Sequence, residues 1–315
     1  MTDAGIRGAI DGSQRASIAV FGDVIDDIVV RPLAAIRPDT DTPASIERRA
    51  GGSAANVAAW LGSIGAPVRF YGRVGRGDRA HHAALLDEFG VEAELVEDSR
   101  LPTGTIVVLL EGEGRRTMLT ERGANAVLTT AEVGEWLWGA DSVRDRPLPA
   151  LVHFTAYSVF NDADAVVDYQ AFIARCHDAG ITVSVDASSA GSLTDFGVER
   201  FLDAVAGASV LLPNLDEGRV LTGLDDPLEI VRALGVRFEV VAMTMGREGV
   251  VVCAPGLEAT HVPVRPVDDG DPIGAGDAFT AAFLDDWLRT ADAVSAALAG
   301  GRLAARALAR TGARP

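Results

Sequence analysis

Asp271-Pro-Ile-Gly-Ala-Gly-Asp-Ala-Phe279, continued by the apolar run Thr280-Ala-Ala-Phe-Leu284, is the stretch around which the rest of the chain can be read. Gly274, Ala275 and Gly276 lead into an acid that opens a helix. Such a turn leaves backbone N–H groups uncovered and able to point at an anion. Asp277 then stands where that anion would be, a costly place for a carboxylate unless it does work there, such as taking a proton. An anion cradle beside a base is the arrangement phosphoryl transfer to a hydroxyl requires.

Composition narrows what could accompany this turn. Every one of the 28 basic residues is arginine, for the chain has no lysine. A P-loop needs its Lys on the phosphates, a protein kinase needs one on a strand, and Schiff-base chemistry needs one as nucleophile. All three are excluded in their usual forms, leaving backbone N–H groups, Arg and metal to handle phosphate. The net charge of −17 argues against nucleic acid or an anionic membrane surface as partner. No apolar run is long enough to span a bilayer. Met1 to Ala16, small and polar with Asp3 and Asp11, reads as a disordered tail rather than a signal peptide. Two cysteines, Cys176 and Cys253, form neither a disulfide framework nor a zinc site, and a reducing cytoplasm is expected.

Outward from the turn, short apolar runs alternate with helical segments. Ser17–Phe21 is a first strand that Val24–Val30 continues, with Asp26 and Asp27 embedded in it. Further strands are expected at 68–71, 151–155, 181–185, 210–212, 240–244 and 250–254, with helices at 54–64, 81–89, 131–138, 163–179, 197–206 and 228–234 and two long ones from 277 and 291. This alternation predicts an α/β three-layer sandwich around a mostly parallel sheet. Ala44–Arg49 alternates as a half-exposed strand, and two runs around Gly112-Glu-Gly114 read as a hairpin. They do not fit the main sheet, so a small β lid is expected over segments of about 28–50 and 98–122. Ligands on such sheets bind beyond the strands' carboxyl ends. Asp23, Asp27, Asp186, Asn214, Glu217, Thr244 and Gly246 fall there together with the 274–277 turn. Singly, each reads as well as a helix cap or turn residue.

Four motifs in order give the chain a resemblance to the ribokinase, or PfkB, family of carbohydrate kinases. Gly51-Gly52-Ser-Ala-Ala-Asn56 resembles the family's N-terminal signature and Asp271–Phe279 its C-terminal one. Between them, Asn214-Leu-Asp-Glu217 and Thr244-Met-Gly246-Arg-Glu-Gly249 resemble the N-x-x-E and nucleotide-loop patterns. The resemblance, from about Val20 to Gly312, implies a ribokinase-like kinase domain over 17–315. It implies Asp277 as base, with Gly274, Ala275 and Gly276 as the anion hole; a helix N-terminus favours the ionised carboxylate, so a low resting pKa is expected. It implies Mg²⁺ organised by Asn214 and Glu217 through water, and ATP lined by Asn214, Thr244, Gly246, Gly249, Gly274 and Gly276. On the acceptor side it implies Gly51, Gly52, Asn56 and Asp27, with Asp26 and Asp23 as competitors. Asn125, in Gly123-Ala-Asn125, is either an acceptor residue or a turn residue.

Departures matter too. Pro272-Ile273 replaces the usual Thr-containing pair, which puts a monovalent cation (K⁺) near Asp271 in doubt. Ser53 stands where ribokinase itself has Lys. The expected acceptor is a neutral sugar, ribose-like or fructose-like. A nucleoside, which needs an apolar or aromatic slot (Phe160, Tyr157 and Phe21 are candidates), and a 2-keto-3-deoxygluconate-type sugar acid are alternatives. Arg115-Arg116 could clamp an anionic acceptor or merely end a hairpin. Other classes are a non-catalytic sugar or nucleotide sensor, and an oxidoreductase using Gly75-Arg-Gly77-Asp-Arg-Ala80 with Asp98 on a ribose. His153 in its apolar strand reads as a core residue. An exposed lid sheet could pair with a second chain, so a homodimer is expected.

Overall fold

Strand β1 (Ile18–Gly22) is buried on both faces, because Ile18 and Val20 point into one apolar cluster and Ala19 and Phe21 into another. A two-faced strand needs a layer of helices on each side, and the chain supplies them. The computed structural model describes residues 16–110, 116–139, 146–161, 166–267 and 270–315. The expected tail, apart from Ala16, lies outside these residues, as do Gly112–Gly114, Arg115 and the side chain of Arg116.

The main sheet has nine strands: β1, β4 (Val68–Gly75), β5 (Glu92–Asp98), β8 (Leu151–Thr155), β9 (Thr182–Asp186), β10 (Val210–Leu212), β11 (Val240–Thr244), β12 (Val250–Ala254) and β13 (Leu257–Val262). Their order is β13-β12-β11-β10-β9-β8-β1-β4-β5, parallel except at β12 and β13. From central β1 the chain winds outward one way to β5 and then the other way to β13. Binding sites form where the winding reverses, beyond the strands' carboxyl ends. The helices Ser53–Ser63, Ala275–Thr290 and Ala293–Leu308 pack on one face, and Thr130–Trp138, Val166–Asp178 and Val198–Ala204 on the other.

The second sheet has the order β3-β2-β6-β7, with β2 at Ile25–Pro32, β3 at Ala44–Gly51, β6 at Gly104–Leu110 and β7 at Arg116–Glu121. The expected lid segments overlap these strands, although β2 begins earlier, at Ile25, and β3 ends at Gly51, and the first strand does not run on into Val24–Val30 as expected. It ends at Gly22, and the chain leaves the main sheet there, because β2 pairs with β3 and β6 rather than with a main-sheet strand. The apolar run concealed this break, since both strands are rich in Val and Ile. The expected helix at 197–206 is Val198–Ala204, and a further helix that the sequence did not suggest, Ala190–Phe196, precedes it across Gly197.

Candidate active site

The helix Ala275–Thr290 starts from Gly274, whose φ of 77° is a left-handed conformation that glycine adopts freely. A Cβ at Gly274 would also collide with the carbonyl oxygen of Ala313, whereas one at Gly276 would meet open space. Asp277 lies in the helix's first turn, where Oδ1 accepts a hydrogen bond from Ser53 Oγ (2.7 Å) and Oδ2 one from Asn56 Nδ2 (2.9 Å). The N- and C-terminal glycine motifs, more than 200 residues apart, are therefore one constellation. Ser53 and Asn56 sit on the helix Ser53–Ser63, whose first amides donate to Asp23 (3.0 and 3.2 Å). Asp23 is thus a cap for that helix as well as a wall of the cleft.

The carboxyl of Asp277 is not held low. Burial pushes it up to about 7, and Asp186 and Asp23 push the same way, while the bonds from Ser53 and Asn56 oppose them. The expectation from the helix dipole counted one favourable end and missed a cleft walled by other carboxylates.

Three cavities meet at this helix N-terminus. A cleft of 500 Å³ between lid and main sheet is lined by Asp23, Asp27, Gly52, Ser53, Asn56, Gly274 and Asp277. A cavity of 260 Å³ shares Ser53, Gly274 and Asp277 with it and adds Asp186, Asn214, Glu217, Thr244 and Gly276. A third, of 310 Å³, shares Thr244 and Gly276, takes in Gly246, Gly249 and Ala275, and is otherwise walled largely by apolar residues such as Val264, Phe279 and Leu308.

In the first cleft, strand alternation settles which acid faces inward. Asp27 lines the cleft beside Gly51, where a Cβ would run into its carboxylate, while Asp26 is directed to His82, 3.5 Å away. Burial raises Asp27 to about 6, helped by Asp23 and Asp26 and opposed by Arg314 and Arg49. The lid turns Val29, Ile106, Val108, Met118 and Thr120 into the same cleft. Asn125 serves the backbone: it accepts from Val24 N (2.9 Å) and donates to the carbonyls of Val24 (2.8 Å) and Arg122 (3.0 Å). Of the three aromatic candidates only Tyr157 lines the cleft, under the guanidinium of Arg122 at 4.5 Å; Phe21 and Phe160 pack against other aromatic rings.

The three-residue spacing of Asn214 and Glu217 makes a reciprocal helix cap. Asn214 Oδ1 accepts from Glu217 N (3.0 Å), and Glu217 accepts from Asn214 N (2.8 Å) and Nδ2 (2.6 Å). Burial raises both Glu217 and Asp186; the charge of Glu217 adds to the rise at Asp186, and that of Asp216 to the rise at Glu217. Among the described residues no three His, Cys, Asp or Glu side chains converge to hold a metal by themselves. The donor set suits Mg²⁺ carried mainly by phosphate and water, with Asp186, Asn214 and Glu217 at its edge. Asp271 accepts from the amides of Ile273 (3.1 Å) and Gly312 (3.2 Å), which ties the loop to the chain's last turn.

Two residues of the site carried no assigned role in the sequence reading. Asp186 stood at the right sheet edge, but nothing local separated it from a cap. Arg314 belongs to no motif, yet its Nε donates to Asn56 Oδ1 (3.1 Å) and its Nη2 to the Gly51 carbonyl (2.9 Å). Asp98, proposed for a ribose, is spent on the amides of Arg100 and Leu101 and on Arg73. His153 is buried against Ser184, as a core residue.

Comparison with known proteins gives the family and the fold. The family model described as pfkB family carbohydrate kinase matches residues 15–315. The ATP-dependent ribose-1-phosphate kinase of Halopiger xanaduensis is 33% identical over 266 residues, covering 81% of this chain and 80% of that protein. The bifunctional protein HldE of Edwardsiella ictaluri is 32% identical over 279 residues, covering 84% of this chain; the chain spans about half (54%) of that relative's length. Among solved structures, adenosine kinase from Sinorhizobium meliloti superposes with a TM-score of 0.80 at 20% identity, covering 96% of both chains. Fructokinase from Vibrio cholerae O395 gives 0.74 at 23% identity, covering 95% of this chain and 94% of that one. The chain belongs to the pfkB family of carbohydrate kinases.

Proposed function

We propose that the protein transfers the γ-phosphoryl group of ATP to a hydroxymethyl group of a small sugar, ribose-like or fructose-like, with Asp277 as base. The observation that carries this reading is the position of Asp277 and Gly274, shared by the lid-covered cleft and the cavity that leads to the apolar slot. The sugar occupies the cleft, with Asp27 accepting from hydroxyls and Asn56 and the Gly51-Gly52 backbone beside it. Adenine occupies the apolar slot, with Thr244, Gly246 and Gly249 along its phosphate side. The amides of Gly274 and Gly276 donate to the phosphoryl oxygens as their charge grows, while that of Ala275 is bonded to the Pro272 carbonyl (3.3 Å). Asp277, aimed by Ser53 and Asn56, takes the hydroxyl proton as the new bond forms. Mg²⁺, when bound near Asp186, Asn214 and Glu217, neutralises phosphate charge. The lid excludes water that would otherwise compete as acceptor.

A second reading gives the acceptor an anionic group. Arg49 and Arg122 both line the cleft, and Arg122 has no carboxylate partner among the described residues. A relative named a ribose-1-phosphate kinase points the same way. The apolar lid residues and Tyr157 keep a nucleoside in the comparison. One panel decides: ADP release from Mg-ATP with D-ribose, D-fructose, adenosine, D-ribose 1-phosphate and 2-keto-3-deoxygluconate, each with the wild type and Asp277→Asn. Turnover of a neutral sugar supports the first reading, and preference for an anionic one supports the second. Thermal stabilisation by a sugar without any ADP release would make the protein a sensor.

The outer lid face carries Ile28, Val30 and Ile46 opposite Val107, Leu109 and Leu119, an apolar sheet face that fits a second copy of the chain. A monovalent cation near Asp271 is tested by activity in KCl against choline chloride. A cytoplasmic location accords with two unpaired, buried cysteines.

A further inference from the structure

The phosphoryl-transfer reading leaves one charged side chain of the site without a task. Arg314 lies under the cleft, and its segment is pinned in place. Trp60 Nε1 donates to the Ala313 carbonyl (2.9 Å), and Gly312 N donates to Asp271 (3.2 Å). One edge of its guanidinium makes two bonds, Nε to Asn56 Oδ1 (3.1 Å) and Nη2 to the carbonyl of Gly51 (2.9 Å). Its Nη1 is buried without a partner among the described residues.

An amide can present either its oxygen or its nitrogen to a neighbour, and the hydrogen bonds decide which. A guanidinium can only donate. Its bond to Oδ1 therefore commits Asn56 Nδ2 to the carboxylate of Asp277, 2.9 Å away. A flipped amide would set oxygen against carboxylate and NH₂ against guanidinium, two repulsive contacts in place of two attractive ones. Gly51, the other acceptor, is the last residue of lid strand β3 and precedes the Gly52–Ser53 entry to the helix that carries Asn56.

We propose that Arg314 is a positioning residue for phosphoryl transfer: through Asn56 it aims the carboxylate of Asp277 at the acceptor hydroxyl, and through Gly51 it fixes the root of the lid to the same point. The inference rests on the reading of Asp277 as base. Charge supports it. The groups facing Asp277 and its neighbours from the surrounding elements are Asp23, Asp27, Asp186 and Asp26 on the acid side and Arg314 and Arg49 on the other. Burial lowers Arg314 to about 10, and Asp27, Asp277, Asp23 and Asp26 hold its proton in place. It is therefore the buried cation that opposes an otherwise acidic cluster. Lysine would keep the charge but not the flat two-donor edge.

The test compares Arg314→Gln, Arg314→Lys, Asn56→Ala, the double variant Arg314→Gln/Asn56→Ala and a surface control, Arg306→Ala, using the best acceptor of the panel above. A second readout, the ¹³C carboxyl titration of Asp277 in the protein without nucleotide or acceptor, needs no turnover. In Arg314→Gln, kcat should fall by ~100-fold with KM for Mg-ATP within about twofold. The Asp277 midpoint should rise by about one pH unit. Arg314→Lys should leave the midpoint near that of the wild type while kcat stays at least about tenfold low, because the aim is lost and the charge is not. The double variant should be no worse than Asn56→Ala alone. Wild-type kcat with an unmoved midpoint in Arg314→Gln overturns the proposal, as do losses that multiply in the double variant. If Arg314→Gln does not fold, a Lys enzyme with full kcat overturns it. Retained activity in Asp277→Asn would instead sink the base reading, and the carboxyl titration still judges Arg314.

Discussion

Replacing Asp277 by Asn should destroy activity and stabilise the protein, and both effects should depend on pH. The folded-state carboxyl titrates at about 7 against 3.8 when unconstrained. A group raised in this way favours folding fully below about 3.8, and that contribution is lost as pH rises through 7. At 1.36 kcal/mol per pH unit, the ionised wild type is penalised by up to about 4 kcal/mol above pH 7 relative to low pH. Asp277 is half-buried, so solvent screening brings the expected figure to roughly 1–3 kcal/mol. Asn removes that penalty and forfeits about 1 kcal/mol, because its NH₂ cannot accept from both Ser53 and Asn56. The net gain at pH 8 should be roughly 0.5–2 kcal/mol, or a few degrees in Tm, shrinking to nothing or reversing by pH 4. Phosphoryl transfer should fall by ~10²–10⁴-fold at pH 8, and by less below pH 7 as the wild-type carboxyl protonates. Melting curves of both proteins from pH 4 to 8, beside ADP-release rates, supply the check. A Tm difference that does not change between pH 4 and 8 refutes the desolvation argument, and activity within tenfold of the wild type at pH 8 refutes the base.

Gly274→Ala should lose roughly 1–3 kcal/mol from the left-handed φ alone, more from the collision with Ala313, and activity with it; chemical denaturation measures the first and a rate assay the second. Glu217→Gln should lower kcat at least about tenfold and raise the Mg²⁺ concentration needed for half-maximal rate, as titrated at fixed ATP. Arg122→Gln should raise KM about tenfold or more for an anionic acceptor while changing that of a neutral sugar by less than about threefold, a contrast that steady-state kinetics reads directly. Ile46→Asp, on the outer lid face, should convert a dimer to monomer in light scattering without touching the cleft.

The parts of the site that were legible in the sequence are those where backbone geometry forces a residue type. Gly274 was legible because its positive φ calls for glycine, whereas a Cβ at Gly276 would meet open space, so the backbone does not force glycine there. Glu217 was legible through its three-residue spacing from Asn214, which is a capping box whatever else it does. The parts that were not legible depend on contacts between remote segments. The choice of Asp27 over Asp26 follows only from the pairing of β2 with β3 and β6. The role of Asn125 follows from bonds to a backbone 101 residues away, and Arg314 meets Asn56 across 258 residues. The raised carboxyl of Asp277 escapes a local reading for the same reason, since its neighbours come from the end of β9 (Asp186) and the turn after β1 (Asp23), outside the local motif.

The cleft's charge has a consequence for the order of events. Asp23, Asp27, Asp186, Glu217 and Asp277 line the two cavities where a sugar and a polyphosphate would meet, and burial raises Asp27, Asp186, Glu217 and Asp277. The fixed cations that face them are Arg49, Arg122 and Arg314. A free nucleotide triphosphate entering this cavity would raise the carboxyls further and disfavour the ionised Asp277 that the reaction needs. A divalent cation held near Asp186 and Glu217 would oppose both effects by screening those carboxyls. On the proposed reading of Asp277 as base, a resting carboxyl raised to about 7 is only partly ionised near neutral pH, and a metal–nucleotide complex would favour its ionised form.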